Sequence, residues 1–167
     1  PDNKARKIDP LIAQGLFDLS SLEAPPPPHV LASLTQRNLL RGYLLNIPTG
    51  QAVAKAMRIK PMRHEDLVEG LNDEQKCVMY DSGFTAKTPL WYYVLQEAKV
   101  QQDGNRLGYV GSKLVAETIA GLVKMDQNSY INNLQHPNVD AENGITLPGS
   151  STPIQTIGDI LEYAGVA

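Results

Sequence analysis

The sequence predicts an all-α fold with little or no β-structure. Apolar residues recur at helical spacing in several segments, most clearly 90–102 and 112–125. Helix-start signatures precede such segments at Thr49, Thr88-Pro89 and Thr156-Ile-Gly-Asp159. Runs that alternate apolar with polar residues are scarce, and β-branched runs are short.

A chain of 167 residues fits one domain, so 1–167 is expected to form a single domain part with an irregular loop at 135–153. Its net charge of −3 gives no electrostatic case for nucleic acid or an anionic membrane. No apolar run approaches the roughly 18 residues a membrane span needs. The first ten residues, PDNKARKIDP, lack the apolar core of a signal peptide. Cys77 is the only cysteine, which excludes an internal disulfide, a CxxC pair and a cysteine zinc site.

Residues 8–18 read as a short helix, started by Asp9-Pro10 and packing through Leu11, Ile12, Leu16 and Phe17. The APPPP run at 24–28 cannot be helical and is expected to be an extended spacer rather than an SH3-type ligand. A helix then follows from Leu31 and stops at or before Asn46, because Pro48 disfavours helix in the residue before it. On its wheel Val30, Leu34 and Leu45 share a stripe with Arg37, Asn38 and Arg41, within an arc of about 100°. Leu39, Leu40 and Tyr43 lie opposite, so the helix is apolar nearly all round and is expected to be buried. Buried guanidiniums demand an anion, either a protein carboxylate or a ligand bearing carboxylates or phosphates.

Thr49 is expected to cap a helix through Arg58 whose inner face is Val53, Ala54 and Met57, with Pro61 beyond it. His64-Glu65-Asp66 opens a short helix carrying Leu67, Val68 and Leu71, and the absence of a second histidine at i+4 excludes the H-E-x-x-H zinc motif. Asn72 or Asp73 caps a further helix towards Tyr80, broken at Ser82-Gly83. Thr88 is expected as N-cap, with Pro89 first in a helix that buries Trp91, Val94, Leu95 and Ala98 and exposes Gln96, Glu97 and Lys99. Asp103-Gly104 ends it. The segment 112–125 is expected to pack through Leu114, Val115, Ile119, Leu122 and Met125, with Lys113 and Glu117 as an exposed i,i+4 pair. Gly121 inside it suggests a closely approaching neighbour. Asp126, Asn128 and Asn132 lack the glycine and glutamate of a calcium loop. Thr156 to Asp159 forms a capping box for a last helix.

No Walker loop, G-x-S-x-G elbow, zinc-deaminase signature or Rossmann fingerprint is present, and His29, His64 and His136 are scattered among polar residues and prolines.

Lys7-Ile8-Asp9-Pro10-Leu11-Ile12 with Gly15-Leu16, then Gln36-Arg37, Gly42 and Ile47-Pro48, resemble in order and spacing the C-terminal third of the animal-type haem peroxidases (the peroxidase–cyclooxygenase superfamily). RNLLRGYLLNIPTGQAVA, TPLWYYVLQEAKV and LGYVGSKLVAETIAGLVKMDQNSYI resemble its bacterial members, and TIGDILEYAGV the end of such a domain. The resemblance extends from Lys7 to Val166. It implies a helical protein that binds haem b and uses hydrogen peroxide to oxidise a halide or an organic donor. It also implies that the iron's histidine and the distal residues lie upstream, so that this chain holds neither catalytic residues nor a metal ligand. His29 is set aside on that ground. Any calcium site or haem-esterifying carboxylate is likewise implied upstream. The implied partner is an N-terminal peroxidase chain or segment sharing the haem, and the family favours a secreted or periplasmic setting. Maturation into two chains, or a trimmed chain, accounts for a start within the domain.

Carried over by position, Arg37 matches the arginine that approaches a haem propionate, a role suited to a bidentate, permanently charged guanidinium. Leu34 stands where the family has an asparagine bonded to the proximal histidine, and Asn38, one turn on, offers an equivalent amide. Arg41 replaces a histidine and faces either the other propionate or a protein acid. The alternative is a haem-free helical interaction module derived from the same fold, which Leu34 favours.

Overall fold

The computed structural model describes residues 6–19, 32–129, 131–132, 139–140, 144–146, 149, 151 and 153–165. These are mostly helical: α1 (Leu34–Leu44), α2 (Gly50–Ala56), α3 (His64–Leu67), α4 (Asp73–Asp81), α5 (Leu90–Gln102), α6 (Tyr109–Met125) and α7 (Ile157–Tyr163). A two-residue antiparallel ribbon pairs β1 (Val139–Asp140) with β2 (Gly144–Ile145), Val139 opposite Ile145. The chain divides into two compact units, Pro1–Val115 and Ala116–Ala167. The proline run, His29, Val30, Leu31, His136 and most of 135–153 lie outside the described residues.

Local signals set most helix ends. Thr49 Oγ1 accepts from Ala52 N (3.2 Å) at the start of α2. Asn72 and Gln75 form a reciprocal capping box at α4 (2.8 and 3.1 Å). Thr156 and Asp159 do the same at α7 (3.2 and 2.6 Å). α1 stops on Asn46, which takes a left-handed φ of 52°. Asn46 N then donates to Tyr43 O and Ile47 N to Gly42 O (both 3.0 Å), the Schellman arrangement. The aspartate and asparagines after α6 also terminate a helix. The Asn132 amide donates to Lys124 O (3.0 Å) and Asp126 O (2.8 Å), and Asp126 accepts from Asn128 N (2.9 Å).

The core of the first unit is Ala54, Met62, Leu67, Tyr93 and Val110, ringed by Val53, Met57, Ile59, Leu90, Val100 and Leu114. α5 is its axis, packing against α1, α2 and α3. Gly50 starts α2 directly on the Tyr93 ring, where an added Cβ would overlap the ring carbons. Tyr93 is fully buried, and its hydroxyl oxygen accepts from Met62 N (2.9 Å).

Several expectations are corrected. Residues 8–18 form only a 3-10 turn at Gln14–Leu16, because Asp9 Oδ1 accepts from Leu11 N (2.9 Å) in a local turn that competes with helix. The intended packing residues Leu11 and Phe17 are exposed. α1 has no buried residue, and Tyr43 (79%) and Leu44 (67%) stand in solvent. α5 buries Tyr93, Gln96, Glu97 and Ala98, not the Trp91/Val94/Leu95 face, and its N-cap is Pro89 rather than Thr88. In α6 only Leu114 of the expected stripe packs on the core; Val115, Ile119, Leu122 and Met125 are exposed, Met125 by 83%. Gly121 has no neighbour within 4 Å of where a Cβ would sit.

Two glycine substitutions should therefore move stability in opposite directions. Gly50→Ala drives a methyl into Tyr93 and should cost about 1–3 kcal/mol or more by overpacking. Gly121→Ala meets open space and should gain up to about 1 kcal/mol from helix propensity. Urea unfolding midpoints measure both, and a destabilised Gly121→Ala would contradict the open surroundings of that residue.

Candidate ligand groove beside α1

The turn that ends α1 carries the chain back across the start of α5. Thr49 and Pro89 pair as an isolated antiparallel bridge, and Gly50 N donates to Thr88 O (2.9 Å). The Gln51 amide donates to Thr88 Oγ1 (2.8 Å) and Thr85 O (2.9 Å), while its oxygen accepts from Thr88 N (3.1 Å). Thr88 is fully buried and donates its hydroxyl proton to Phe84 O (2.9 Å). The threonine expected as a cap is thus consumed in holding two turns together.

Between those turns and α1 lies a cavity of about 360 Å³ lined by Asn38, Arg41, Tyr43, Ile47, Lys87 and Trp91 among others. Asn38 and Arg41 reach it from one face of α1. Arg37 does not line it; it is half-buried and already engaged within the chain. Arg41 and Lys87 are both exposed, and neither forms an ion pair among the described residues. The burial argument for an obligatory anion therefore fails for Arg41, whose charge is hydrated. What remains is a groove with two cations and an amide beside indole, phenol and aliphatic surface. That chemistry suits an anionic group carried on a flat apolar body. Its volume is near the lower end of the ~300–1,000 Å³ typical of small-molecule sites.

A second polar arrangement escaped apolar periodicity altogether. Tyr92 Oη donates to Leu67 O (3.0 Å), Gln96 Nε2 to Asp66 O (2.9 Å) and Glu69 O (3.1 Å), and Lys99 Nζ to Glu69 O (3.1 Å). Positions 92, 96 and 99 form one stripe of donors that satisfies carbonyls at the end of α3 and the turn after it. The neighbouring stripe accepts. Glu97 takes the N–H of Val110 (3.0 Å) and Gly111 (3.1 Å), and Gln101 Oε1 takes that of Tyr109 (3.1 Å). Gly108 allows this approach, since a Cβ there would overlap the Glu97 side chain. The sequence signal was the start of α6 itself: Leu107-Gly108 offers no capping side chain, so its first N–H groups needed an acceptor from elsewhere.

His64, the histidine among the described residues, is exposed at the start of α3 and does not line the groove. Among the described residues no cluster of histidine, cysteine, aspartate or glutamate could hold a metal ion. No described helix is long and apolar enough to cross a membrane. Comparison with protein-family models, curated proteins and solved structures gives no match to this chain.

Burial raises the Glu97 pKa, outweighing the backbone N–H bonds from Gly111 and Val110 that lower it. The folded chain thus keeps this proton to higher pH than the unfolded chain. Its contribution is complete below the unfolded value of about 4.3 and is lost as pH rises through the higher folded pKa. Glu97→Gln, which does not titrate, should flatten that fall in a pH series of urea midpoints; an unchanged slope would place Glu97 at its ordinary pKa.

Proposed function

We propose that this chain is the proximal-side helical component of a haem peroxidase. It would hold the carboxylate edge of haem b, while an N-terminal peroxidase chain or segment brings the iron ligand and the distal residues. The reading draws its chemical identity from the resemblance of residues 7–166 to that superfamily. The observation that carries it is the groove, which gathers Asn38 and Arg41 of α1 with Lys87 and Trp91.

The donor set fits one edge of such a cofactor. Arg41 and Lys87 suit its two carboxylates, and Trp91 and Ile47 offer apolar surface to the ring edge. A cavity of about 360 Å³ provides one wall, not an enclosure. When bound, haem iron supplies the reduction of hydrogen peroxide and the oxidation of the donor. The chain's own groups bind and orient. Asn38 offers an amide on the same face, and Arg37 does not line the groove. The exposed apolar residues Leu40, Tyr43, Leu44, Leu45 and Ile47 suit cover by the partner polypeptide.

The second reading, a haem-free interaction module, draws on Leu34 in the asparagine position and on the bare apolar stripe of α6, where Leu122 is 66% exposed. Haemin titration separates the two. Trp91 is the only tryptophan and lines the groove, so its fluorescence reports occupancy directly. Saturable quenching with a Soret band should appear. Arg41→Ala should weaken binding about 2–5-fold, as expected for an exposed charge pair worth up to about 1 kcal/mol. Quenching that is absent, or that ignores Arg41→Ala and Asn38→Leu, selects the haem-free module.

A further inference from the structure

α6 meets the core of the first unit through Val110 and Leu114 and leaves a second face uncovered. Val115, Ile119, Leu122 and Met125 recur on that face at i, i+4, i+7 and i+10, within about 120° of one another. Exposure rises along them from 46% at Val115 to 83% at Met125. Ala116 and Val123 flank the stripe on one side and Thr118 on the other, so no charge borders it. Lys113 and Glu117, both engaged within the chain, and Lys124 lie on the opposite face. Single exposed apolar side chains are ordinary, but four in one line over three turns form a patch that marks an association surface.

We infer that α6 pairs with α6 of a second copy of this chain, antiparallel about a two-fold axis at the level of Ala120 and Gly121. That register sets Ile119 of each copy against Leu122 of the other, and Ala116 against Met125. Each contact occurs twice, as an isologous interface requires. The smallest side chain of the face meets the longest, which lets the two surfaces interdigitate. The uncharged flanks select this occupant. A helix with charged residues beside its own seam would have to strip water from them against Ala116, Val123 and Thr118, with nothing there to repay the cost. A second α6 brings no charge to the seam, and antiparallel alignment opposes the two helix dipoles favourably. The stripe is about 15 Å long. So short a seam buries less than the ~1,200 Å² of a lasting interface, so the dimer it specifies is weak and forms with concentration. The pairing asks nothing of the α1 groove, and haemin binding there neither supports nor opposes it.

Sedimentation equilibrium of the whole chain tests it, under reducing conditions so that the exposed Cys77 forms no disulfide between copies. The mass should rise from that of one chain towards that of two between about 10 μM and 1 mM. Leu122→Asp should weaken the association at least about tenfold, because it puts an unpaired carboxylate in the seam. Ile119→Gln should weaken it as well. Both residues are exposed in the single chain, so circular dichroism should stay unchanged. Leu44→Asp, on the exposed face of α1, should leave the association as it is. A nitroxide at Ala116→Cys in a Cys77→Ser chain, mixed with an isotope-labelled copy, reads the orientation: amides around Met125 of the labelled copy should broaden, and those around Ala116 should not. A chain that stays monomeric up to about 1 mM, a dimer indifferent to Leu122→Asp and Ile119→Gln, a dimer lost with Leu44→Asp, or broadening centred on Ala116 would overturn the pairing.

Discussion

The first unit is organised by the contact of Gly50 with the Tyr93 ring. Only the Tyr93 ring lies between α2 and α5 there, because Gly50 adds no side chain of its own, so the α2 backbone rests directly on the ring. The Tyr93 hydroxyl continues the same link by accepting from Met62 N, which ties the connector after α2 to α5. Leaving that buried N–H without a partner would cost about 1–3 kcal/mol, so the tyrosine is fixed by polarity as well as by shape. Two grooves follow from this contact. The Ile47–Thr49 turn precedes Gly50 on one side, and Ile59 to Arg63 follows α2 on the other. The first borders the start of α5 at Leu90 and Trp91, and the second borders its end at Val100 and Gln101.

α5 has a further role that its apolar content conceals. α3 has four residues, too few for a helix to satisfy its own termini or to persist unaided. Tyr92, Gln96 and Lys99 supply the missing donors, and Glu97 with Gln101 supplies acceptors for α6. A buried glutamine and a buried glutamate are tolerable because each is bonded to backbone. The cost appears in Glu97, whose burial favours the neutral form against the pull of two N–H groups. The same residues explain why α6 can begin after a glycine.

What could be read from the chain sorts by the range of the interaction. Thr49, Asn72 and Thr156 were legible because a cap bonds a backbone group two or three residues away. The stop of α1 before Pro48 was legible for the same reason. The buried face of α5 was not, because polar residues were assumed to face water when their partners were carbonyls and amides of α3 and α6. The stripe of α6 was misjudged in the reverse sense: regular apolar spacing is necessary for packing but does not supply a neighbour. Residues 8–18 failed because Asp9 found a bond two residues away before a helix could propagate. For the α1 site, the wheel placed Arg37, Asn38 and Arg41 together, and the groove takes Asn38 and Arg41. The wheel fixed their angles but not which side of α1 meets α5, and that choice turned Arg37 away.

Exposure of Arg41 changes what the α1 groove needs in order to work. A cation in water gains little from an added anion, about 0–1 kcal/mol for an exposed pair, because hydration already satisfies both charges. The attraction grows several-fold when the surrounding dielectric falls. Tyr43, Leu44 and Leu45 flank that cation and are themselves uncovered. Polypeptide laid over them would bury apolar surface worth about 25 cal/mol per Å² and would remove water from the groove in the same step. On the proposed reading, anion binding and partner docking are therefore linked, each strengthening the other by the same factor. The linkage would be lost if the groove retained its water when covered, because Arg41 and Lys87 would then remain hydrated surface charges whichever partner was present.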